Sequence, residues 1–181
     1  SEQSLLNLYR GRQTDGLILM QVRLHDWRAE LLRENKYPFV LIGSCEDNTG
    51  LSFVDIEYEK AIFSAFEHLA ELGHRHIGLL TFPARWRLEG NTAPVQCMRA
   101  FEKARRELDI RVAVREVPYS AAGMSQGFNE LLTELPQMTG LVVSYAVTLG
   151  GVYRAAFDHG LQIPDDLSIV GIAGEASAGL L

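Results

Sequence analysis

The chain has little of what would staple it covalently, hold it in a membrane or let it grip a nucleic acid. Only two cysteines occur, Cys45 and Cys97, far apart in the sequence. That is no disulfide framework, so free thiols in a reducing, cytoplasmic setting are the better reading. No apolar run reaches the roughly 18 residues of a membrane span. The opening Ser1-Glu2-Gln3-Ser4 lacks the basic-then-apolar form of a signal peptide. Positive charge is also short: the formal net charge is −6, with no basic stripe. An acidic surface binds DNA poorly, because neutralising phosphate supplies most of that affinity. Catalytic signatures are missing too. There is no Gly-x-Ser-x-Gly elbow, phosphate loop or dinucleotide fingerprint, and Gly171, Gly174 and Gly179 have the wrong spacing. Neither an enzyme nor a cofactor is expected.

What is present is apolar periodicity. Hydrophobic residues make up 47% of 181 residues, enough for one domain or two small lobes. Strand-like and helix-like segments alternate. Strands are expected at 16–20, 39–43, 76–82, 113–117, 140–144 and 168–172, with a short extended crossing at 51–56. Residues 2–10 read as a helix. Asp26 is placed to cap another through Asn35, with Trp27 and Leu31 four apart. Met98, Phe101, Ala104 and Leu108 give one helix its apolar face after Pro94. Met124, Phe128, Leu131 and Leu135 mark a helix before Pro136, and Leu149, Val152 and Ala156 mark one before Gly160. Residues 83–92 read as a polar loop. Such alternation predicts an α/β fold with parallel sheets flanked by helices.

Residues 57–80 carry the most information. Ile62, Phe66 and Leu69 recur at i, i+4 and i+7 on one helical face, with Asp55 placed to cap the start. Gly73 can take the left-handed conformation that ends a helix. The apolar run Ile77-Gly78-Leu79-Leu80 suits a strand covered on both faces. His74 and His76 lack further ligands at metal-binding spacing, so they read as part of a turn and no metal is expected.

This stretch, with Glu57-Tyr58, Ala61, His68-Leu69 and Leu72-Gly73-His74-Arg75-His76-Ile77-Gly78, resembles the LacI family of bacterial transcription regulators. So do Asp15-Gly16-Leu17-Ile18-Leu19, Pro38-Phe39-Val40-Leu41-Ile42-Gly43 and Gly160-Leu161-Gln162-Ile163-Pro164-Asp165 in the same order. The resemblance implies a two-lobed, periplasmic-binding-protein-like effector domain. Residues 1–52 would form an incomplete first lobe, 53–172 the second, and 173–181 the start of a crossover back. It also implies a homodimer, a small-molecule effector held in a cleft between lobes, and DNA contact only through a headpiece outside these residues. A transporter's periplasmic solute-binding protein shares the fold and is the runner-up.

Ligands of open parallel sheets bind beyond the carboxyl ends of the strands. The candidates in those loops are His25, Arg85, Trp86, Arg87, Tyr145 and Glu175, with Tyr119 nearby. Trp86 reads either as a ring-stacking platform or as a loop tryptophan covering the sheet edge, and Arg85 and Arg87 read either as a clamp on an anion or as a solvated loop. Three further candidates, Cys97, Ala146 and Ala173, occupy positions where the resembling family carries polar anchors, an Arg, an Asp and another Asp. Each charged anchor is worth roughly 1.5–3 kcal/mol. Losing three argues against a typical neutral hexose as effector.

Overall fold

The computed structural model describes residues 14–174, together with Leu5, Asn7 and Gly11. The helix expected at 2–10 therefore lies almost wholly outside the described residues, as does Glu175. The chain divides into two compact units. One holds the residues through Ile56 with Leu88–Ala93, and the other holds Glu57–Arg87 with Pro94–Leu181.

The first unit is built on a three-stranded sheet in the order β1 (Leu17–Leu19), β2 (Phe39–Ile42) and β3 (Phe53–Val54), parallel throughout. The crossing expected at 51–56 is thus a true strand, and the unit carries one strand more than the sequence showed clearly. Helix α1 (Trp27–Glu34) starts where expected: Asp26 accepts from the backbone N–H of Arg28 at 3.1 Å and of Arg23 at 3.2 Å. Its buried face is Ala29 and Leu32, whereas Trp27 is exposed. The Trp27–Leu31 pairing marked the wrong stripe, because Ala29 and Leu32 are the positions that meet Leu19, Val22 and Leu41 in the core. The other face of the sheet is bare among the described residues: Ile18, Val40, Ile42 and Val54 are all exposed. Parallel sheets are normally covered on both faces.

Residues 88–92 were expected as part of a polar loop. They instead join the first unit. Asn91 bridges Arg23 in antiparallel fashion, Leu24 N–H donates to the Gly90 carbonyl at 2.9 Å, and the Thr92 hydroxyl donates to the Ser44 carbonyl at 2.6 Å. Residues 53–56 also lie in the first unit. Asp55 is tied to the Ser44 hydroxyl and the Ile56 N–H, so it does not cap the following helix. Glu57 takes the cap position, without a side-chain hydrogen bond.

In the second unit, α2 (Tyr58–Glu71) leads to β4 (His76–Thr81), and Ile62, Phe66 and Leu69 are buried as the periodicity required. Gly73 has φ 96°, the left-handed stop. Next come α3 (Ala84–Leu88), α4 (Thr92–Glu107), β5 (Arg111–Glu116), α5 (Ala121–Glu134), β6 (Gly140–Val143), α6 (Gly150–Asp158) and β7 (Ser168–Gly171). Helix α3 replaces the middle of the expected loop. Its residues are mostly good helix formers, Trp86 N–H closes a turn onto the Pro83 carbonyl at 2.9 Å, and Gly90 stops it with φ 81°. The four parallel strands lie in the order β5-β4-β6-β7, so the chain reverses its winding direction between β4 and β6. Both of these central strands are buried along nearly their whole length.

Candidate functional site

An open parallel sheet leaves a crevice at its carboxyl edge where the winding direction reverses. Here that point lies between β4 and β6. The residue after β4 is Phe82, and the second residue after β6 is Tyr145. Their ring centroids lie 5.0 Å apart, so an aromatic pair spans the reversal point. Two more rings close a four-membered box. Trp86, one turn into α3, lies 6.0 Å from Phe82, and Tyr119, beyond β5, lies 6.1 Å from Trp86 and 4.6 Å from Tyr145. Three neighbouring pairs are tilted by 31–34°, and Tyr119 stacks on Tyr145 at 27°. Tyr58, at the start of α2, meets Phe82 edge-on at 5.5 Å.

The rings differ in what they leave open. Phe82 and Tyr145 are buried, Trp86 is half-buried, and Tyr119 is 49% exposed. The Tyr145 hydroxyl donates to the Val117 carbonyl at 3.3 Å, and burial, then the neighbouring Tyr119, pushes that phenol above its usual range. Its proton stays in place at neutral pH. Tyr119 and Trp86 are therefore the two rings of the box that keep exposed surface.

Beneath the box lies a small polar knot. The Ser144 hydroxyl donates to Thr81 Oγ1 at 3.0 Å, joining the ends of β6 and β4. Cys97 of α4 is fully buried beside both hydroxyls. Burial raises its thiol to about 11, although the hydrogen bonds from Ser144 and Thr81 pull the other way. Cys97 thus serves as packing and a weak hydrogen-bond partner.

The charged candidates separate. Arg87 is paired with Glu116 through two hydrogen bonds, at 2.6 and 2.9 Å. The guanidinium is held above its usual range by that carboxylate, and its donors on this side are spent on the protein. Arg85 is exposed and carries no ion pair among the described residues. Ala146 is buried and Ala173 exposed, and neither side chain can hydrogen-bond. His25 belongs to the first unit, exposed beside a pocket lined by Asp26, Arg33, Cys45 and Asp47. The second unit therefore brings Trp86 and Tyr145 together with Tyr119, and sequence reasoning missed Phe82 and Tyr58. The available signal was positional: an aromatic residue follows within three positions of the end of each of β4, β5 and β6. No group of three metal-ligating side chains occurs among the described residues.

The comparisons agree with this architecture. A model of the periplasmic binding protein-like domain matches residues 66–181. The chain belongs to that family. The likeness to LacI-type effector domains read from residues 57–80 is borne out by the relatives of this domain. Catabolite control protein A of Priestia megaterium is 30% identical over 173 residues, covering 94% of this chain and 51% of that protein. The chain thus spans about half the length of that relative. Among solved structures, a LacI family transcriptional regulator from Bifidobacterium animalis aligns with a TM-score of 0.84 at 23% identity, covering 97% of this chain and 64% of the other. A LacI family regulator from Enterococcus faecium with bound ribose aligns with a TM-score of 0.75 at 23% identity, covering 99% and 65%. No helix among the described residues is long and apolar enough to cross a membrane.

Proposed function

We propose that this chain is the effector-sensing part of a LacI-type transcription regulator, with its small molecule seated at the carboxyl edge of the β5-β4-β6-β7 sheet. The aromatic box at the reversal point carries this reading. Its two partly exposed rings, Trp86 and Tyr119, support a ligand at the sheet edge where open parallel sheets bind. Signalling would be a population shift, in which the ligand binds one conformational state more tightly than another. DNA contact would come from a headpiece outside these residues, and the regulator would act in the cytoplasm as a homodimer. The acidic charge of −6 supports a division of labour in which this part does not touch DNA. The regulatory role of the relatives named above favours this reading over a transporter's solute-binding protein. It also leaves no need for catalysis.

The effector class follows from what lines the edge. Cys97 is buried, Ala146 and Ala173 are mute, and Arg87 is held by Glu116. A neutral hexose presents many hydroxyls that would lose water without gaining partners, at a cost of about 1–3 kcal/mol for each one left unpaired. A molecule with a flat, weakly hydrated face gains more, because stacking on an aromatic ring contributes about 1–3 kcal/mol per base-sized ring. The reading is tested by thermal-shift screening of hexoses, sugar acids, polyols and nucleosides. Ring-bearing compounds should stabilise the protein and glucose and galactose should not. A clear shift with either hexose would overturn the effector assignment.

A further inference from the structure

Helix α3 has little of its own to hold it in place. It spans five residues, Ala84–Leu88, and none of them is buried. A helix this short is not stable by itself, so contacts outside it must fix its position. One set comes from the Trp86 ring, which meets Phe82 at 6.0 Å and Tyr119 at 6.1 Å. Aromatic pairs accept centroid distances of roughly 4.5–7 Å and more than one inclination, so ring contacts alone leave α3 free to shift.

The other contact is directional. Arg87 donates from Nε to Glu116 Oε1 at 2.6 Å and from Nη2 to Glu116 Oε2 at 2.9 Å. Two parallel hydrogen bonds set orientation as well as distance, which a single ammonium group could not do. Most exposed ion pairs contribute little, but this one is two-pronged and only 17% of the Glu116 side chain is exposed. Glu116 is itself anchored, because it closes β5 in register with Thr81 of β4. The pair therefore ties α3 to the sheet. Its two ends also fall at telling places: Arg87 directly follows Trp86, and Glu116 stands three residues before Tyr119. Each end adjoins one of the two rings of the box that keep exposed surface.

We propose that Arg87 and Glu116 are positioning residues, a clamp that sets the spacing and inclination of Trp86 against Tyr119. The proposal rests on the reading of the box as a ligand site and adds what holds its exposed rings in register before a ligand arrives. Fluorescence of the ligand-free chain tests it. Only two tryptophans occur, and Trp27 belongs to the first unit, so Trp27→Phe leaves Trp86 as the sole reporter. In that background Arg87→Lys keeps the charge and loses the fork, whereas Glu116→Gln keeps the shape and loses the charge. Each should raise acrylamide quenching of Trp86 by about twofold, with a red-shifted emission and unchanged far-ultraviolet circular dichroism. Arg115→Lys is the comparison, because Arg115 pairs with Glu130 and Glu134 from the same strand and adjoins neither ring. Quenching that stays at the starting value in both variants, or rises equally with Arg115→Lys, overturns the clamp and leaves the ligand reading standing. Loss of the far-ultraviolet signal in either variant would mean that the pair holds the fold and not Trp86, and also overturns it. Loosening of Trp86 as expected, in a chain that no nucleoside stabilises, would keep the clamp and remove the ligand reading.

Discussion

Tyr119 stacks on Tyr145 with ring centroids 4.6 Å apart and planes inclined by 27°, so a loop residue after β5 is fixed to one after β6. An aromatic pair of this kind is worth about 0.5–1.5 kcal/mol beyond its buried area. Tyr119→Ala should lower unfolding stability by about 1 kcal/mol in urea titrations. Trp86→Ala should weaken binding of any compound that gives a thermal shift with the wild type, measured by calorimetry. Undiminished binding would remove Trp86 from the site.

Asp26 holds the start of α1 and the Arg28 side chain together, with guanidinium contacts of 2.6 and 2.9 Å. Burial works against its charge, but the Arg28 side chain and the backbone N–H groups of Arg23 and Arg28 outweigh it, so its carboxyl lies below the ordinary 3.8. An acid with a lowered folded pKa stabilises the fold above its unfolded pKa and loses that contribution as pH falls through the folded one. Stability should therefore drop below about pH 4. Asp26→Ala should cost roughly 3 kcal/mol at pH 7, combining a lost cap with an unpaired guanidinium. Equal acid sensitivity in wild type and Asp26→Asn would show that other carboxylates dominate.

The Cys97 thiol has the opposite sign. Its folded pKa of about 11 lies above the ordinary 9.0, so the folded chain keeps a proton that the unfolded chain releases. That contribution is present below pH 9 and disappears as pH rises toward 11. Thiol titration at pH 8 should find Cys45, which is partly exposed, and reach Cys97 only after denaturation. Rapid labelling of Cys97 in the folded protein would contradict its burial. Cys97→Ala should flatten the alkaline loss of stability.

Gly151 marks the closest approach of α6 to α5. A Cβ there would lie 2.0 Å from the Ala121 carbonyl oxygen, a backbone atom that cannot swing away. Gly151→Ala should destabilise the protein by about 1–3 kcal/mol through overpacking, despite alanine's better helix propensity. A raised melting temperature would mean that the two helices can separate at little cost.

Several elements could be read from local pattern because one local cause decides each. The 3.6-residue spacing of Ile62, Phe66 and Leu69 announces a buried helical face without reference to any partner. Gly73 and Gly160 stop helices through their own left-handed backbone, at φ 96° and 69°. The uninterrupted apolar run after His76 requires a covered strand. Trp86 and Tyr145 were recognisable because they follow strand ends, where parallel sheets bind ligands.

Tertiary structure decided what depends on chain crossing. Sequence alone could not show that Gly90, Asn91 and Thr92 pair with Val22, Arg23, Leu24 and Ser44, because those contacts join distant segments. The same holds for Asp55, which Ser44 holds away from the helix it was placed to cap. Phe82 was only the last residue of the expected strand 76–82, and the strand order β5-β4-β6-β7 sets it beside Tyr145. Local residues fix periodicity, capping and turn conformation because those energies act over one or two helical turns. Which side chains then face one another is settled by strand order and crossover, and so by contacts that form only once the chain has folded.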